Sequence, residues 1–194
     1  MTTPDTAPPF PDMSLRTCAA ILCCVASPAL AACPPNPDIA EDIDRLLDAV
    51  QAADDAEAAR RIASEMWTFW AKAPDDRAQQ LLDDGMARRA AFDLAGAVAA
   101  FDGLIAYCPD YAEGYNQRAF ANFIREDYAA ALPDLERAIT LRPRHVAAIA
   151  GKGLTLIRMG RIREGQDTIR AALAFNPWLS ERQYLLLEPK GIDL

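Results

Sequence analysis

Three observations predict an all-α fold, a stack of antiparallel helix pairs. Pro109, Pro143 and Pro177 stand 34 residues apart, and each closes a helix-like run. The small residues Ala97, Ala131 and Gly165 form a column at the same period. Phe101, Leu135 and Ile169 form a bulky column; Leu104, Ala138 and Ala172 form another, and Ile105, Ile139 and Leu173 a fourth. Within each unit these positions fall at i, i+4, i+7 and i+8, one stripe of an α-helix.

The first element in order is not part of this stack. Residues 13–33 read as a targeting segment: Arg16, then the apolar run 18–26, then Ala29-Leu30-Ala31. A basic start, a short apolar stretch and a small-x-small site describe a signal peptide, expected over 1–31 and cleaved. Met13 is the expected start, because Asp5, Asp12 and several prolines ahead of it suit no such basic region. The apolar run is too short to span a bilayer as a helix. Residues 39–53 then read as a helix. Ile62, Met66, Phe69 and Trp70 repeat the stripe, with Pro74 placed 35 residues before Pro109. Residues 32–76 are therefore expected to be a degenerate helix pair that extends the stack.

Each full unit holds a helix A, with Gly85, Ala119 and Gly153 in register, and a helix B that carries the four columns. The helices are parted by turns at 90–93, 125–128 and 159–162. Proline ends helix B because it cannot continue the backbone ladder. In the stretch "CPDYAEGY" (108–115) the chain stops, turns and restarts at once, which stacks the next unit. Pro133 falls inside the second helix B and should kink it or remove a hydrogen bond. Residues 178–194 are expected to supply a capping helix that hides the last apolar face.

Three aligned units at one period resemble the tetratricopeptide repeat, a helix–turn–helix unit of 34 residues. The resemblance rests on Gly85, Ala97, Phe101 and Pro109; on Tyr115, Ala119, Ala131, Leu135, Ala138 and Pro143; and on Gly153, Ala172 and Pro177. It covers units 77–110, 111–144 and 145–177. It implies a tetratricopeptide-like α-solenoid, a right-handed superhelix whose concave face is lined by A helices and takes a peptide or a partner's helix. Carried over position by position, that groove includes Gln79, Asp83 and Met86, then Asn116, Gln117, Phe120 and Phe123, then Ala150, Leu154 and Arg158. Phe120 and Phe123 could equally pack between helices. One subclass clamps a C-terminal carboxylate with basic residues and asparagines. The corresponding positions here are Leu82, Met86, Gln117, Ala147 and Gly151, so no such clamp is expected.

Composition bounds the partners. Hydrophobic residues make up 52% of the 194, enough for a sizeable core, and the net charge is −8. A phosphate backbone is repelled on average by that charge, so no nucleic-acid partner is expected. After export Cys33 and Cys108 would remain in an oxidising compartment. They either pair as a disulfide, stay as free thiols, or leave Cys33 as the lipid-bearing residue of a lipobox, Leu30-Ala31-Ala32-Cys33.

Catalytic chemistry is not apparent. The single His145 lies in the turn after Pro143 and is expected to be exposed. No closely spaced His, Cys or Asp cluster has metal-ligand spacing, and no glycine-rich phosphate loop occurs. Acidic runs sit at helix starts, where carboxylates complement the dipole. Asp84, Arg118 and Lys152 share a column where the family that the chain resembles prefers an apolar residue; either opposite signs one unit apart pair along the array, or the stems pack while the heads reach water, which is the expectation. No enzyme activity, cofactor or metal is expected. The expected function is a protein–protein interaction scaffold of the bacterial cell envelope, exported to the periplasm. The alternative is a lipid-anchored structural component of an envelope assembly, touching membrane only through Cys33.

Overall fold

The computed structural model describes residues 32–187 together with Met1. The expected signal peptide, the expected start at Met13 and residues 188–194 lie outside the described residues. Eight α-helices and one short 3₁₀ helix follow in order: α1 (Ala40–Gln51), α2 (Ala56–Trp70), α3 (Asp76–Ala90), α4 (Leu94–Tyr107), α5 (Ala112–Ile124), α6 (Tyr128–Leu141), α7 (Val146–Arg158), α8 (Ile162–Phe175) and the 3₁₀ turn Ser180–Leu186. No strand occurs among the described residues. Helices α3 to α8 are the three expected units, each an A helix and a B helix packed antiparallel.

The starts and stops repeat with the period. Asp93 and Asp127, one period apart, cap the B helices α4 and α6 by accepting the N–H groups of Gly96 (3.0 Å) and Ala130 (3.1 Å), and Asp75 caps the A helix α3 by accepting from Ala78 (2.8 Å). Such caps satisfy donors that the helix leaves open. Helix A stops where Phe92, Glu126 and Gly160 take φ of 61°, 61° and 81°. One residue further on, the N–H groups of Asp93, Asp127 and Arg161 reach back to the carbonyls of Arg88, Asn122 and Leu156 at 2.9 Å. This left-handed cap with a six-to-one bond is a Schellman motif, and it reverses the chain for helix B. After helix B, the N–H of Tyr111 bonds the Cys108 carbonyl at 3.1 Å, and that of His145 bonds the Arg142 carbonyl at 3.0 Å. The proline inside each turn has no N–H to leave unpaired.

Packing follows the columns. Ala97, Phe101 and Leu104 share a buried cluster with Leu82; Ala131, Leu135 and Ala138 share another with Ala119 and Ala148. In the third unit the A and B backbones nearly touch. A Cβ on Gly165 would lie 2.6 Å from the Gly153 carbonyl oxygen, so this crossing requires glycine.

Three expectations need correction. The first helix pair does not extend the stack by lying on α3. The stripe of α1 (Ile43, Leu46, Leu47, Val50) and Met66 and Trp70 of α2 cluster instead with Val146, Ile149 and Ala150 of α7 and Ala172 of α8. The pair thus folds back over the third unit. Pro133 lies inside α6, which continues through it from Tyr128 to Leu141, and its missing N–H removes one ladder bond, as expected. The terminal cap is a 3₁₀ helix rather than an α-helix. It is held by Gln166, whose Nε2 donates to the carbonyls of Tyr184 (3.1 Å) and Leu187 (2.7 Å), and it leaves Leu186 exposed. The mixed column does not simply reach water. Arg118 makes a two-point pair with Asp134 (2.8 and 2.6 Å) and a bond to Asp102 (2.6 Å), while Lys152 pairs with Glu136 at 3.0 Å. These are ties from an A helix to B helices. The Asp134 side chain is only 9% exposed. Its hydrogen bond is the main cause that raises the Arg118 pKa above the ordinary guanidinium value.

Candidate binding groove

The concave face is built by α5 and α7. Successive A-helix positions 116, 117, 120 and 123 of α5 and 147, 150, 151 and 154 of α7 border one apolar cavity of about 370 Å³. Its walls include Phe120, Phe123, Leu135, Ala150 and Leu154. Trp67 of α2 closes one side, and Leu179 and Glu181 of the terminal segment close another. Phe120 is 48% exposed and carries the Arg89 guanidinium over its ring, 4.4 Å from the centroid. Phe123 is half-buried and meets Tyr128 edge-on at 5.4 Å. Phe120 therefore presents a free face to the cavity, and Phe123 both packs and lines it.

Six of the ten expected groove residues are brought together here: Asn116, Gln117, Phe120, Phe123, Ala150 and Leu154. The other four stand outside the cavity. Gln79 is engaged locally, accepting from the Ala73 N–H and donating to Asp83, both at 3.0 Å. Met86 packs on the cluster of the first unit. Arg158 donates to the Tyr128 hydroxyl at 3.2 Å. The Ala73 N–H of the α2–α3 connection thus ties Gln79, and Ala71 and Ala73 are buried in the same cluster that Met86 packs on.

Beneath the cavity lies a polar network that no local stretch of the sequence signals. His145 was expected in an exposed turn, but it is fully buried, and Glu113 is 1% exposed. The Ala148 N–H donates to His145 Nδ1 at 3.3 Å. Nε2 therefore carries the ring proton and donates to Glu113 Oε2 at 2.8 Å. Glu113 Oε1 accepts from Asn116 Nδ2 at 3.1 Å and from Gln117. Gln117 in turn accepts from Arg89, whose guanidinium burial holds below its ordinary pKa. The His145 ring stacks on Trp70, centroids 4.3 Å apart and planes 14° from parallel. Tyr111 donates to the Trp70 carbonyl at 2.9 Å, and burial pushes its phenol pKa up. Every member is satisfied within the protein, and Trp70 covers the imidazole. Such a network fixes the A helices relative to one another; it presents no open nucleophile or acid–base pair. Asn116 and Gln117 spend their amides here rather than in the groove. Among the described residues no group of His, Cys, Asp and Glu could hold a metal ion.

Cys33 and Cys108 form a disulfide, closing a loop across a sequence separation of 75. A sulfur bonded to Cys108 is not free to carry a thioether-linked lipid, so the two uses of Cys33 exclude each other. The free-thiol alternative is likewise not what the structure shows.

No family model matches the chain. It is 30% identical over 124 residues to a TPR repeat-containing protein of Rhizobium etli, covering 61% of this chain and 58% of that one. It is 32% identical over 119 residues to tetratricopeptide repeat protein 36 of Xenopus tropicalis, with 58% of each chain covered. The chain thus spans little more than half the length of these relatives. Among solved structures it is similar to the TPR2B domain of yeast Sti1 in complex with an Hsp70 peptide, with a TM-score of 0.53, 25% identity, and 57% of this chain and 91% of that one covered. The first TPR of Spaghetti (RPAP3), bound to an HSP90 peptide, aligns with a TM-score of 0.55 at 19% identity, over 57% of this chain and 87% of that one; this is a likeness of fold. The period, the A–B packing and these neighbours agree on the fold: helices α3 to α8 build a tetratricopeptide-like α-solenoid of three helix pairs, similar to the repeat proteins named above.

Proposed function

We propose that the chain is a protein-interaction scaffold whose concave face takes an apolar segment of a peptide or partner protein, and that it works after export, in a bacterial periplasm. The observation that carries the reading is the apolar cavity between α5 and α7, with Phe120 half exposed at its wall. An exposed aromatic in a preformed concave site is a favourable anchor for a partner side chain. Two similar repeat domains are described as bound to Hsp70 and HSP90 peptides, which supports a peptide partner for this face. The chemistry of the partner differs from an acidic chaperone tail. At the clamp positions Leu82 is fully buried, and Met86, Ala147 and Gly151 offer no charge. An apolar side chain is the better fit.

The export half of the proposal rests on the residues of 13–33 and on the disulfide, which persists in an oxidising compartment. It favours the soluble scaffold over the lipid-anchored alternative. Intact mass of the exported chain, before and after reduction, tests this: a gain of two hydrogens on reduction is expected, and acyl mass on Cys33 would overturn it. The groove is tested by capture from envelope extract with wild type, Phe120→Ala and Leu154→Ala. At least about tenfold lower partner recovery is expected from each variant. Unchanged recovery with helicity preserved would refute the assignment.

A further inference from the structure

Part of the concave side is already taken by the chain itself. Residues 33–51 run past the three proline turns in succession. Cys33 is bonded to Cys108, and Asn36 Nδ2 donates to the Asp110 carbonyl at 2.8 Å, both at the first turn. Arg142 donates to the Pro37 carbonyl at 3.3 Å, and Arg144 pairs with Asp44, both at the second. At the third, Gln51 Nε2 reaches the Ala174 carbonyl at 3.4 Å. Between these ties the stripe Ile43, Leu46, Leu47 and Val50 is buried with Val146, Ile149 and Ala150. The chain then returns through α2, which places Trp67 in the cavity wall and Trp70 on His145. The spacing i, i+3, i+4, i+7 along α1 is that of an amphipathic helix laid on an apolar surface.

We propose that the α1–α2 hairpin is a built-in occupant of the concave side, fastened by Cys33–Cys108, and that the surface beneath it accepts an amphipathic helix of the same spacing from a partner once that bond is reduced. The proposal rests on the scaffold reading and names the partner's chemistry and its control. The step is a thiol–disulfide exchange with a dithiol. The dithiol sulfurs attack in turn and end as a disulfide, and Cys33 and Cys108 each leave as a thiol with one hydrogen gained. The hairpin then stays joined only through residues 71–75. Its loss of one anchor lowers its effective concentration over α7, and a competitor gains by the same factor.

The test uses the full chain and a labelled synthetic peptide of residues 36–72 as the added hairpin, with binding read by fluorescence anisotropy. Oxidised wild type is expected to bind it at least about tenfold more weakly than the dithiol-reduced chain or Cys33→Ser. Leu47→Glu, which unseats the hairpin and leaves both cysteines in place, is expected to bind tightly even when oxidised. Ile149→Glu is expected to remove binding in every state. Equal affinity across oxidised, reduced and Leu47→Glu chains would overturn the proposal, as would no binding to Leu47→Glu whose circular dichroism is that of wild type. The outcome separates from the scaffold test. Redox-dependent peptide binding with Phe120-independent partner capture would refute the cavity assignment alone. Phe120-dependent capture with redox-independent peptide binding would refute this inference alone.

Discussion

At Asp75 one carboxylate serves two partners. It accepts from the Ala78 N–H at 2.8 Å and from the Tyr107 hydroxyl at 2.6 Å, and these bonds, the Tyr107 one foremost, hold its pKa below the ordinary 3.8. A carboxyl whose folded pKa is depressed binds protons more readily when unfolded. Its stabilisation is therefore present above pH 3.8 and is lost as pH falls through the lower folded value. Asp75→Asn is expected to flatten the fall of the melting temperature between about pH 5 and pH 3. An equally steep acid limb in the variant would exclude this role. A second residue-scale prediction concerns the left-handed caps. Glu126 holds φ of 61° where the third unit uses Gly160. Glu126→Gly is expected to raise the urea midpoint at unchanged slope, worth roughly 0.5 kcal/mol after the entropy of glycine is offset. Single residues were also where sequence reasoning failed. His145 follows a proline turn, and nothing nearby in the chain covers it; what buries it is Trp70, 75 residues earlier in the sequence. Its partner Glu113 looks like a first-turn acid, and only the fold aims it inward.

Elements were far more legible. The three units, their turns and their proline stops follow from a period that any local window repeats, because stacked units meet through equivalent positions. The same logic misplaced α1 and α2. Their stripe shows that they bury one face, but not against which surface, and α7 and α8 offered a competing one. The stripe of Ile62 and Trp70 fits either. Gly153 and Gly165 belong to the legible part. Placing a methyl between those backbones is expected to destabilise the third unit by roughly 1–3 kcal/mol in Gly165→Ala, read as a lower denaturant midpoint. No change would mean that the α7–α8 crossing is looser than the structure shows. The Arg118 tie makes a further element-scale case. Arg118→Met leaves Asp134 nearly buried without its two-point partner, and a loss of about 3 kcal/mol is expected by chemical denaturation. In the double variant with Asp134→Leu most of that loss should return, since no unpaired charge then remains.

For residues 33–187 as a whole, the disulfide is the longest covalent constraint. Closing a loop of 75 residues is worth about 4 kcal/mol in the chain-entropy model. Cys33→Ser is expected to lower unfolding stability by about that amount or less, with α3 to α8 still folded. A variant whose repeats lose their helicity at once would show that the array depends on its strap. Sequence reasoning singled out Cys33 and Cys108 but left their pairing open among three uses, and six of its ten expected groove residues border the cavity between α5 and α7. It could not foresee that Trp67 walls the groove, because that contact joins a helix outside the repeats to their concave side.

The course of residues 33–51 along three successive turns has a mechanical meaning. An array whose units touch only their neighbours can lengthen or coil at little cost, each interface giving slightly, like a spring loaded in series. Here one tether runs beside all three units and is bolted at the first by sulfur. Tension along the axis falls on tether and interfaces in parallel, so pitch stays fixed until that bolt is cut. Compliance in this molecule is then something that chemistry switches on.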